Sequence, residues 1–121
     1  MRPLQTTPED FLPLTPAVFH ILLSLADAER HGYAIMDHVA KSTDGQIKMG
    51  PGTLYGTIKR LLGSGWLEES AERPDPEMDD ERRRYYRLTQ LGRRVLEAEA
   101  RRYARVVSLV RAEGLLGLPA H

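Results

Sequence analysis

The chain has 121 residues, 41% hydrophobic and 28% charged, which suits a single domain with one modest core. It contains no cysteine, so disulfides, thiol catalysis and thiolate metal sites are excluded. Lysine plus arginine equals aspartate plus glutamate at 17 each, and this zero net charge points to no class of partner.

Residues 1–14 read as an arm, with Phe11, Leu12 and Leu14 available to dock on the body. Its start, MRPLQTTPED, lacks the basic and apolar regions of a signal peptide, so a cytoplasmic protein is expected. Thr15-Pro16 is a helix start, threonine as N-cap and proline at the first helical position. The helix that follows carries Val18, Phe19, Ile21, Leu22, Leu23, Leu25 and Ala26, a stripe wide enough to be buried on two sides. His20 and Ser24 interrupt it, and it is far too short to span a bilayer. A second helix is expected from about Gly32 to Ser42, with Tyr33, Ile35, Met36, Val39 and Ala40 inward. Asp44-Gly45 turns the chain, and Gln46–Met49 is short and strand-like.

Residues 50–65, GPGTLYGTIKRLLGSG, combine an ordinary inner face with an unusual outer one. Leu54, Ile58, Leu61 and Leu62 share one helical side, Pro51 suits the first position, and Gly65 is a natural stop. The opposite side carries Gly52, Gly56 and Gly63 in its middle. Thr53 and Arg60 flank them on one edge, Lys59 on the other, with Tyr55 at the margin. Each interior glycine costs a helix about 1 kcal/mol relative to alanine, so a bare backbone stripe suggests close approach by another molecule.

Trp66–Ser70 is a strand candidate. Residues 72–81, ERPDPEMDDE, are an acidic loop with six acids and one arginine, and Arg82–Leu88 is the returning strand of an antiparallel hairpin. By charge alone, this acidic loop beside an arginine cluster fits two solvated faces of opposite sign better than a patterned binding surface. Alternation along the strand puts Arg84, Tyr86 and Leu88 on one face and Arg83, Tyr85 and Arg87 on the other. A long helix is expected from Thr89 to about Glu113, stopped by Gly114. Within it Leu96, Ala100, Tyr103, Val107 and Val110 repeat at the spacing of a coiled-coil seam. Val95, Ala98, Val106 and Leu109 form a second rib. A dimer using this seam, with Phe19 and Leu22 of the first helix, competes with a monomer whose long helix folds back on its own core.

The predicted fold is therefore mainly α with a small β-hairpin. It comprises a winged helix-turn-helix over residues 15–88, a C-terminal dimerisation helix over 89–114 and a tail over 115–121. His31-Gly32-Tyr33, Gly50-Pro51-Gly52-Thr53-Leu54-Tyr55, and Arg84-Tyr85-Tyr86-Arg87-Leu88-Thr89 with Gly92 resemble the PadR family of bacterial transcriptional regulators, specifically its short subfamily. The resemblance implies a homodimer on double-stranded operator DNA, with the third helix in the major groove and the wing along the backbone. Carried onto this chain, it assigns DNA contact to Gly52, Thr53, Tyr55, Gly56, Lys59 and Arg60, with Lys48 as a further cation. The wing departs from the family pattern, because Met78-Asp79-Asp80-Glu81 stands where relatives have glycine or basic residues. Acids there repel phosphates, so the wing grip is assigned to Arg82, Arg83 and Arg84.

Some family members bind flat aromatic or phenolic effectors, for which Phe19, His20 and Tyr103 are the candidate lining; packing is the alternative role. His20, His31, His38 and His121 form no metal motif, and no nucleophile has a base at motif spacing, so neither a cofactor nor catalysis is expected. The expected function is a ligand-responsive dimeric repressor. The alternatives are a winged-helix interaction module and a small-molecule-binding dimer without DNA binding.

Overall fold

The computed structural model describes residues 7–70 and 84–117. In order these form helix α1 (Pro16–Ser24), strand β1 (Arg30–His31), helices α2 (Gly32–Ser42) and α3 (Pro51–Gly63), strands β2 (Leu67–Glu69) and β3 (Tyr85–Leu88), and helix α4 (Gln90–Ala112). The acidic stretch 72–81 and the arginines Arg82 and Arg83 lie outside the described residues, as do residues 1–6 and 118–121.

Local chemistry sets the helix ends. Thr15 Oγ1 accepts from the Val18 amide at 3.2 Å, and Thr89 Oγ1 accepts from Gly92 at 3.0 Å. His31 caps α2, its Nδ1 accepting from the Ala34 amide at 3.2 Å. At the far end of α3 the Trp66 amide donates to Leu61 O and the Gly65 amide to Leu62 O, with Gly65 at φ +79°. That paired bonding is a Schellman stop, and it depends on the left-handed conformation glycine adopts without strain. Gly114 at φ +75° ends α4 the same way, its amide bonding Arg111 O and that of Leu115 bonding Val110 O.

The sheet has three strands in the order β1-β3-β2, not the two of the expected hairpin. Arg30 pairs with Tyr86 and His31 with Tyr85, while Leu67, Glu68 and Glu69 face Leu88, Arg87 and Tyr86. The added strand has only two residues, too short for an alternating pattern to mark it. Gln46–Met49 does not form the expected strand: among the described residues no strand pairs with it, and the Ile47 amide donates to Thr43 Oγ1 at 3.0 Å. Tyr33 also departs from expectation: the inner side of α2 is carried by Gly32, Ile35 and Val39, and Tyr33 is exposed.

One core joins all layers. Ile21, Leu22, Ile35, Val39, Leu54, Ile58 and Val95 are fully or almost fully enclosed, with Trp66, Leu67, Tyr86 and Leu96 around them. Burying each of the larger aliphatic side chains is worth roughly 1.5–3 kcal/mol. The arm docks as its sequence suggests. Leu14 is buried, Leu12 packs on the core, and the Phe11 ring meets Trp66 edge-on at 5.1 Å between centroids. Gly92 allows α4 to cross the start of β2 closely, because a Cβ there would lie 2.0 Å from the Trp66 carbonyl oxygen.

Candidate nucleic-acid interface

Helix α3 lies on the body by Leu54, Thr57, Ile58 and Leu61. Tyr55 and Leu62 are half-buried beside them, while Gly52, Thr53, Gly56, Lys59, Arg60 and Gly63 are exposed, as is Lys48 just before the helix. Added Cβ atoms at Gly52, Gly56 and Gly63 would meet nothing within 4 Å. None of the three has a positive φ. Neither the backbone conformation nor any contact within the described chain therefore requires glycine there, although each weakens the helix. The helix begins at Gly50 without a side-chain cap, which leaves first-turn amides open to an external acceptor.

The cations on this face are available. Among the described residues no carboxylate pairs with Lys48, Lys59 or Arg60, although six other lysines and arginines (Arg30, Lys41, Arg84, Arg87, Arg101, Arg102) make ion pairs. Arg60 Nη2 lies 3.4 Å from Thr57 Oγ1, whose hydroxyl donates to the Thr53 carbonyl at 2.8 Å. Those contacts hold the guanidinium along the flank of the helix.

Tyr55 does not present its hydroxyl outward. Its ring lies over Gly32, where an added Cβ would fall 2.3 Å from the phenolic oxygen, and that oxygen is buried. The exposed Tyr33 ring stands edge-on beside it at 6.5 Å. Tyr55 thus joins α3 to the start of α2, and the Gly32 of the His-Gly-Tyr block exists to admit it. Sequence spacing put Tyr55 at the margin of the outer face; the side-chain direction, which spacing does not give, turned it inward.

On the wing, Tyr86 and Leu88 face the core as alternation required. Arg84 is exposed and ion-paired with Glu69 at 3.4 Å. Arg87 is engaged by Glu68 at 2.9 Å and by Glu29 at 3.6 Å, which raises its pKa further, the Glu68 hydrogen bond being the main cause.

The association seam divides in two. Leu22 and Leu96 lie in the core of the protomer itself, as do Val95 and Ala98, so these residues are not available to a second subunit. The reason is that α1 crosses the N-terminal half of α4 and consumes both ribs there. Further along the helix is only partly covered: Tyr103 packs against Phe19, whereas Ala100 is exposed, Val106 and Val107 are 41% and 39% exposed, and Leu109 is 68% exposed. Val110 is half-buried.

Phe19, His20 and Tyr103 form an edge-to-face cluster, Phe19 lying 4.8 Å from Tyr103 and 5.2 Å from His20. These mutual ring contacts are what the packing alternative expects. Partial burial moves the His20 imidazole below its usual pKa and favours its neutral form.

Sequence reasoning gave Glu99 no role, yet its side chain is fully buried. It accepts from the Leu14 amide at 2.8 Å and from the Arg102 guanidinium. The Arg102 hydrogen bond chiefly lowers the carboxyl pKa, with burial opposing and the Leu14 bond assisting. The i,i+3 spacing of Glu99 and Arg102 was the one visible signal, and it is common on solvated helices.

The family model described as transcriptional regulator PadR-like matches residues 21–98. An uncharacterized 37.1 kDa protein in transposon TN4556 of Streptomyces fradiae is 37% identical over 86 residues, 71% of this chain. The chain spans only 22% of that protein's length. Among solved structures, a PadR-like transcriptional regulator of Bacillus cereus superposes with a TM-score of 0.65 at 20% identity, covering 84% of this chain and 92% of that one. Bacillus subtilis PadR, in complex with operator DNA, superposes with a TM-score of 0.60 at 20% identity, covering 71% of this chain and 46% of that one.

Proposed function

The chain belongs to the PadR-like family of transcriptional regulators, and from that premise we propose that it acts in the cytoplasm as a dimeric repressor, laying α3 into the major groove of an operator. The observation that carries this reading is the open glycine stripe of α3. Three exposed glycines that nothing in the described chain requires lie between unpaired Lys59 and Arg60. A duplex accounts for all of these features at once: bare backbone permits close approach, and the cations meet phosphates or guanine edges. Thr53 adds a hydroxyl at the helix start, and Lys48 a phosphate contact beside it. Tyr55 acts through packing, by fixing the tilt of α3 on α2. The structurally similar Bacillus subtilis PadR was solved in complex with operator DNA, which supports operator DNA as the partner here.

Dimerisation is assigned to the C-terminal half of α4, through Ala100, Tyr103, Val107 and Val110 with the flanking Val106 and Leu109. Apolar side chains at this exposure and spacing form a continuous strip that a second copy can cover by a twofold operation. Two α3 helices related by that axis read half-sites about one DNA turn apart, ~10 bp centre to centre. A genome-wide pull-down of bound DNA tests the proposal. It should return a pseudo-palindrome of that spacing, and a single unrepeated half-site would contradict the twofold arrangement.

A further inference from the structure

Among the described residues the cations of α3 make no ion pair, but Arg84 on the wing does. Arg84 Nη1 lies 3.4 Å from both carboxylate oxygens of Glu69. The two side chains share one face of the sheet, because Glu69 is registered opposite Tyr86, two residues along the strand from Arg84. Both line a groove of about 440 Å³ between α3 and the sheet, whose helix wall carries Lys59 beside the open Gly56.

A groove with a lysine on one wall and an arginine on the other suits a phosphate. Lysine acts there as a point charge, and the guanidinium fork matches the geometry of a phosphate as well as that of a carboxylate. Arg84 therefore already holds an acceptor of the kind that DNA would bring. The pair is loose: its contacts are long, and its side chains are 44% and 36% exposed. Exposed pairs of this type exchange readily and contribute little to stability.

We propose that Glu69 is an intramolecular competitor for the DNA backbone, occupying Arg84 until a phosphate of the duplex enters the groove between α3 and the wing and takes its place. The proposal rests on the DNA-binding reading and deepens it, by assigning the wing contact to a backbone phosphate and its regulation to one residue. Binding at this point exchanges one ion pair for another and leaves Glu69 beside the incoming anion. The acid thus weakens the sequence-independent share of affinity while leaving the α3 contacts untouched. Arg87 does not take part, since it points to the other face and is held by Glu68 and Glu29.

The test is fluorescence anisotropy with a random-sequence duplex at low salt, on the full chain and its Glu69→Gln, Glu68→Gln, Arg84→Ala and Glu69→Gln/Arg84→Ala variants. Glu69→Gln should tighten binding about two- to fivefold, the range an exposed ion pair commands. It should also steepen the salt dependence, because no carboxylate is left beside the bound phosphate to recapture a cation when Arg84 changes partner. The gain should exceed that of Glu68→Gln, which removes the same charge without releasing Arg84, and should vanish in the double variant. No gain, an equal gain from Glu68→Gln, or a gain that survives without Arg84 would each overturn the proposal. Binding by the unmodified chain with no response to Glu69→Gln refutes the competitor alone. No binding by any form refutes the DNA-binding reading and the competitor with it.

Discussion

Gly56 offers the sharpest separation between a structural and a functional role. Its added Cβ would meet nothing within 4 Å, and its backbone is helical, so alanine fits without displacing any atom. Gly56→Ala should then stabilise the protein by up to about 1 kcal/mol through helix propensity alone. For a chain of this size that raises the melting temperature by roughly 4 °C. The same methyl group stands on the surface assigned to the major groove, so operator affinity should fall while stability rises. Gly56→Glu sharpens the contrast, adding bulk and a negative charge at a position that still tolerates a good helix former. It should abolish operator binding at unchanged or higher melting temperature. The assay is titration of a fluorescent operator duplex, with thermal melting of the same preparations. Full affinity in Gly56→Glu would refute the close-approach reading of the stripe. A lower melting temperature in Gly56→Ala would refute the claim that nothing within the protein needs that glycine.

Gly92 should behave in the opposite sense. Its Cβ would lie 2.0 Å from a backbone carbonyl, so Gly92→Ala should destabilise by about 1–3 kcal/mol or more in urea unfolding. Val107 is 39% exposed in the protomer, so Val107→Glu should dissociate the dimer without unfolding the subunit. Light scattering with circular dichroism checks this, and a monomeric unmodified chain would defeat the assembly proposal. Glu99 has a carboxyl pKa below its usual value near 4.5, so the unfolded chain binds its proton more readily. Its contribution to stability is complete above that value and is lost as pH falls through the lower folded pKa. Melting curves of the unmodified chain and Glu99→Gln should therefore differ near neutrality and converge in acid; curves that stay parallel would refute the role of its charge.

What the sequence alone determined was local. Helix starts at Thr15 and Thr89, the stops at Gly65 and Gly114, the inner face of α3 and the inward turn of Tyr86 all follow from residues within a few positions of one another. The outer glycine stripe was equally legible, because periodicity assigns faces without knowing what covers them. Long-range contact decided the rest. Leu22 and Leu96 look like seam residues until α1 is seen to cross α4 and enclose them. Arg30 and His31 become a strand only because β3 passes alongside, and Tyr55 turns inward because α2 offers Gly32. Glu99 is buried because the arm, 85 positions away in sequence, lays the Leu14 amide against it. Periodicity specifies which face a residue occupies, whereas the neighbour meeting that face is set by how the elements cross, and only the folded chain contains that information.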